Sequence, residues 1–120
     1  MRELPVDLHT QFFKPSDAAA KLTVLAHVDV RQLRFQKNDG RNNSNLTIVS
    51  VVFDRNGNFV AAIEKLLQMR LKDDTLASRM SSGLTVKSNF DVKPGSYLVR
   101  LVVRDAQGQI AAENGAVEIP

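Results

Sequence analysis

The residues from Asp91 to Ile119 constrain the fold more than any other stretch. Lys93-Pro94-Gly95-Ser96 is a turn signal, because proline presets φ and glycine tolerates a positive one. An alternating run over residues 97–104 follows, then a tight turn at Asp105-Ala106-Gln107-Gly108 and a second extended run. Such local chemistry forces two strands of opposite direction, the hairpin unit of a β-sandwich. Tyr97, just after the Pro-Gly corner, is expected to hydrogen-bond back to the corner backbone and to be structural.

The same period-two pattern recurs upstream. Val6, Leu8, Thr10 and Phe12 alternate with Asp7, His9 and Gln11, which predicts a first strand over residues 6–12, broken by Lys14-Pro15-Ser16-Asp17. Leu22, Val24, Ala26, Val28 and Val30 alternate with Thr23, His27, Asp29 and Arg31, a second and longer strand. Residues 36–45 are polar and turn-prone and read as an exposed loop. Residues 46–54 are rich in β-branched side chains and lead into Arg55-Asn56-Gly57-Asn58, whose Asn-Gly dipeptide favours a type I′ hairpin turn. The return over residues 59–71 has helix-forming composition in its later part, yet the turn supplies an antiparallel partner, so strand is predicted. One short helix is expected over residues 74–81, capped by Asp73 or Asp74 and ended by Gly83, before alternation resumes over 84–92. The reading is all-β: an immunoglobulin-like antiparallel β-sandwich of seven or eight strands with one short helical connection.

A chain of 120 residues, 43% hydrophobic, is enough for one domain spanning residues 1–120 with its own core. Its 16 cations and 13 anions are interspersed, which suits solubility more than a nucleic-acid footprint, so no nucleic-acid partner is expected. With no cysteine, neither a disulfide framework nor a thiolate metal site can form. The start Met1-Arg2-Glu3-Leu4-Pro5 lacks the apolar run of a signal or anchor, and runs such as Val51-Val52-Phe53 are too short to span a membrane. Opening and closing directly in strand-like residues, the chain reads as a module excised from a larger protein.

Catalytic signatures do not occur. There is no Gly-x-Ser-x-Gly elbow, no cysteine nucleophile and no phosphate-binding loop, and Gly57, Gly95 and Gly108 are isolated turn residues. The expectation is a noncatalytic domain with no cofactor. Lacking tryptophan and holding a single tyrosine, it also lacks the aromatic platforms that sugar faces prefer.

Two groups of side chains are candidates for binding. If the first two strands pair with Val6 opposite Val30 and Leu8 opposite Val28, then Asp7 faces Asp29 and His9 faces His27. Asp7, His9, His27 and Asp29 would then share one face and could hold zinc or another divalent metal, the basis of an alternative reading as a metal-binding protein or small metal-dependent enzyme. Alternation alone also gathers such residues on the polar outer face of a strand pair, and that reading is preferred. The second group is Arg31, Arg34, Lys37 and Arg41 around Phe35, a basic segment able to meet an acidic partner or phosphates, weighed against a solvated loop edge that Asp39 interrupts. Arg70, Arg100 and Arg104 form a further candidate stripe on a sheet face. For a protein interface, residues 31–45 and 65–80 are favoured, because Leu66, Leu67, Met69 and Met80 exceed what one face needs, although they would serve equally as core. An edge strand could pair with a second copy, so a monomer or weak homodimer is expected.

Leu4-Pro5-Val6-Asp7-Leu8, Leu25-Ala26-His27-Val28-Asp29, Phe53-Asp54-Arg55-Asn56-Gly57-Asn58-Phe59 and Pro94-Gly95-Ser96-Tyr97-Leu98-Val99-Arg100-Leu101 resemble the carboxy-terminal segment of bacterial von Willebrand factor A-related proteins. The resemblance covers nearly the whole chain. It implies an exported, noncatalytic accessory or protein-interaction module, extracellular or periplasmic, that follows an A domain and packs beside it or presents a loop or edge strand to another protein. The adhesion motif of the A domain, Asp-x-Ser-x-Ser, is absent, so that domain's metal chemistry does not carry over.

Overall fold

The predicted alternation is realised as eight strands in two antiparallel sheets, in a computed structural model that describes residues 6–120. Met1 to Pro5, including the Leu4-Pro5 start of the first motif, lie outside the described residues. The smaller sheet has the order β1 (Val6–Ser16), β2 (Ala19–Val28), β6 (Leu84–Val92). In the larger one β4 (Arg41–Asp54) is central, with β5 (Phe59–Leu71) along one edge and β3 (Gln36–Asn38) and β7 (Gly95–Asp105) along the other, and β8 (Ile110–Ile119) beyond β7. Helix α1 (Asp73–Ser82) connects β5 to β6, from one sheet to the other. The architecture is an immunoglobulin-like β-sandwich.

Alternation decides which side chains meet. On β2, Leu22, Val24, Ala26 and Val28 are buried, and on β7 Val99, Leu101 and Val103 are buried. A side chain such as Leu101, fully removed from water, contributes about 2 kcal/mol by transfer alone. The buried apolar residues form two clusters, one around Val28, Leu46 and Leu101 and the other around Leu22, Val52 and Val99. Between them the inward positions on β4 and β6 are the buried serines Ser50 and Ser88. Leu8 touches both clusters and lies against Gly115 of β8, where an added β-carbon would be 3.1 Å from Leu8 Cδ2.

Several expectations need correction. β1 runs through Pro15 to Ser16, accommodated by an irregularity between Phe13 and Ser16, and the turn falls at Asp17-Ala18. β2 stops at Val28, because the Asp29 carboxylate accepts the Arg31 backbone N–H and caps a single 3₁₀ turn, Val30–Gln32. Residues 36–45 hold strand rather than loop: β3 and the start of β4 pair around Asp39-Gly40, whose positive φ values of 53° and 74° make this the type I′ turn. At Asn56-Gly57 only the glycine is left-handed. Gly57 N–H donates to the Asp54 carbonyl and Asp54 N–H to the Asn58 carbonyl, which is a type I turn with a glycine bulge. Neither aspartate caps α1. Lys72 occupies the cap position, and Asp73 and Asp74 lie in the first turn where the helix dipole favours them. Gly83 ends the helix as expected, its N–H donating to the Arg79 carbonyl at 2.7 Å. Tyr97 also behaves as expected, its hydroxyl donating to the Lys93 carbonyl at 2.5 Å.

Candidate functional site

The observed register of β1 on β2 disperses the proposed ligand set. Val6 lies opposite Val28, two residues from the expected pairing, so Asp7 faces His27 and His9 faces Leu25. Because the shift is even, the faces are preserved while the partners change. Asp29 lies past the strand end, gripped by Arg31 through Nε at 3.0 Å and a terminal nitrogen at 2.7 Å. That guanidinium, followed by the Arg31 backbone N–H, holds the Asp29 carboxyl below its ordinary value. His27 spends Nδ1 on the Thr85 hydroxyl at 2.9 Å, and its ring lies under Gly83. Among the described residues no group of three or more histidine, cysteine, aspartate or glutamate side chains is placed to hold a metal. Asp7, His27, Asp29 and Arg31 instead line an open polar cleft of about 810 Å³ together with Ser81 and Glu113.

The basic segment is partly neutralised. Arg31 is paired with Asp29 and Lys37 with Asp73. The Lys37 ammonium, followed by the Asn42 amide at 2.8 Å, holds the Asp73 carboxyl below its ordinary value and fastens α1 to the β3–β4 hairpin. Arg34 is exposed, and Arg41 shares a cleft of about 260 Å³ with Arg70. In the second favoured region, Met69 is core and Leu67 packs against it, while Leu66 and Met80 are 62% and 39% exposed.

The outer face of the larger sheet was not singled out from the sequence. With Leu46, Ile48, Ser50 and Val52 pointing inward, β4 presents Thr47, Val49, Val51 and Phe53 outward. Register places Leu66 and Arg104 on either side of Thr47, Glu64 and Val102 beside Val49, Ala62 and Arg100 beside Val51, and Phe59 and Leu98 beside Phe53. Phe59 and Leu98 are 64% and 46% exposed. A water-facing strand position is ordinarily polar, yet the central column here is apolar in three of its four positions. The signal was available in the sequence: residues 46–53 are apolar at both parities, the pattern of a strand covered on both faces.

No family model matches the chain, and no curated protein matches it. Solved structures share the fold. A glycosyl hydrolase family 2 member from Bacteroides cellulosilyticus aligns with a TM-score of 0.62 at 15% identity, covering 93% of this chain and 14% of that one. A putative β-galactosidase from Bacteroides fragilis aligns with a TM-score of 0.61 at 15% identity, covering 95% and 16%. For a β-glucuronidase from glycoside hydrolase family 2 the values are 0.60, 15%, 95% and 11%. This chain therefore corresponds to a small part of much longer proteins, and the likeness is one of fold. None of its helices is long and apolar enough to cross a membrane, among the described residues.

Proposed function

We propose that the chain is a noncatalytic interaction module of a larger von Willebrand factor A-related protein acting outside the cytoplasm, and that the outer face of its five-stranded sheet is covered in the assembled parent. The observation that carries this reading is the column Val49, Val51 and Phe53 on a sheet face that no element among the described residues covers. Contiguous apolar surface of this kind marks a contact surface. The sequence resemblance supplies the context, and the structural likeness to short stretches of longer bacterial enzymes agrees with an accessory role.

The chain contains no cysteine, so a Val102→Cys variant adds to it a single thiol, on this face. In the intact parent protein the introduced thiol is expected to react far more slowly with a maleimide than a thiol at the exposed Asn56 turn. Equal reactivity at the two positions would overturn the reading.

A further inference from the structure

Resting on that reading, we infer that the occupant of the outer face is a second copy of this chain, packed face to face about a two-fold axis that runs along β4. The register makes the face self-complementary about that line. Such an axis exchanges the β5 side of one copy with the β7 side of the other and superposes each β4 residue on its own equivalent, as an isologous interface requires. Glu64 and Val102 flank Val49 on opposite sides, so each copy's Glu64 falls over the partner's Val102, midway between the positions of Arg100 and Arg104. Those two arginines stand two residues, about 7 Å, to either side, and stacked sheets lie about 10 Å apart, within reach of an arginine and a glutamate side chain together. Each Glu64 thereby gains two guanidinium partners, and the contact is made twice.

The apolar residues obey the same symmetry. Phe59 and Leu98 flank Phe53 on opposite sides, so each copy's Phe59 falls over the partner's Leu98, and Phe53 meets Phe53 on the axis. Two of the most exposed apolar side chains of the monomer would bury each other. Leu66 would cover the stem of Arg104, an arrangement suited to a long amphipathic side chain. An axis between β4 and β7 would oppose more strands but would leave Glu64 over Ala112 of β8 with no cation facing it. Charge complementarity therefore selects the β4 axis. Three strands about 4.8 Å apart and four outward rows about 6.7 Å apart give an overlap on the order of 400 Å² per copy. That is about half of what each partner of a standard stable interface buries, as expected of a weak, reversible dimer and not of an obligate one.

Sedimentation equilibrium of the 120-residue chain tests this. The expected result is a concentration-dependent dimer, weakened at least about tenfold by Glu64→Arg and by the double variant Arg100→Glu, Arg104→Glu, each of which opposes like charges across the axis. An equimolar mixture of the two variants restores association, because both contacts are then complementary. A wild-type chain that stays monomeric at high concentration, a dimer indifferent to both variants, or a mixture that fails to associate would each overturn the inference. If Val102→Cys is protected in the parent while this chain stays monomeric, self-association falls and the proposed function stands.

Discussion

Gly83 lies against the imidazole of His27: a β-carbon on the glycine would sit 2.6 Å from Nε2, and 3.0 Å from the Val28 carbonyl oxygen. The glycine ends α1 with φ 73° and ψ −166°, a region essentially closed to other residues. His27 cannot swing away freely, because Nδ1 is bound to Thr85 across the β2–β6 pair. Gly83→Ala is therefore expected to destabilise the fold by about 2–4 kcal/mol, from backbone strain plus overpacking. Urea unfolding measures the loss. In a His27→Ala background the overpacking part should disappear and the backbone part persist, and an identical loss in both backgrounds would show that the ring is not the obstacle.

Three carboxylates are held below their ordinary value by partners in the folded state. The Arg31 side chain acts on Asp29, the Asn58 backbone N–H on Asp54, and the Lys37 side chain on Asp73. A depressed folded pKa contributes stability above the unfolded value, about 3.9, and that contribution is lost as pH falls through the folded pKa. The urea midpoint should accordingly drop as pH is lowered below about 4. Asp29 and Asp73 act through ion pairs that water reaches, so added salt should weaken their effects most. Asp73→Asn should make the acid decline shallower; an unchanged decline would remove Asp73 from the set.

Strand positions and faces were legible because period-two alternation survives almost everywhere, and β5 formed as strand despite helix-forming residues because β4 supplied its partner. Register was not legible. An even shift keeps every side chain on its own face, so the pattern of β1 and β2 fitted Val6 opposite Val30 as well as Val28, and the ligand set depended on that difference. The capping role of Asp29 was hidden for a related reason, since Val30 continues the alternation beyond the strand and is itself buried. Asn-Gly and Asp-Gly turns are interchangeable in composition. Only the loop length fixed by the flanking pairing separates Asp39-Gly40, with both residues left-handed, from Asn56-Gly57. The apolar outer column was visible in residues 46–53 but looked like core, because a single strand does not say how many of its faces its own chain will cover.

The turns that close the β4–β5 and β7–β8 hairpins are the same device at different depths. In both, an aspartate Oδ1 accepts backbone N–H groups two and four residues on: Asn56 and Asn58 for Asp54, Gln107 and Gln109 for Asp105, at 2.8–2.9 Å. Asp105 is 6% exposed and Gln109 is buried with it, so removing that acceptor strands a donor away from water. Asp105→Ala is expected to cost about 1–3 kcal/mol, and Asp54→Ala distinctly less, because water replaces the lost acceptor there. Asp105→Asn keeps the accepting oxygen and should lose far less than alanine. Equal midpoint shifts for Asp105→Ala and Asp54→Ala in urea would refute the role of burial.

Lys65 lies opposite the buried Ile48, so on the exposed edge strand β5 it points inward, and its ammonium donates to the Lys87 carbonyl on β6, an edge of the other sheet. An inward charge in the middle of a 13-residue edge makes that edge a poor template for another strand, since a docked strand would have to bury the ammonium or break its bond. Lys65→Ile removes this obstacle and leaves Phe59 to Leu67 as an apolar run interrupted only by Glu64. The variant should form species larger than a dimer, because edge pairing is open-ended whereas face-to-face packing closes at two. Light scattering against concentration distinguishes the two modes, with Lys65→Arg as the variant that keeps the charge. A Lys65→Ile chain as monodisperse as Lys65→Arg would mean that some other feature protects the edge.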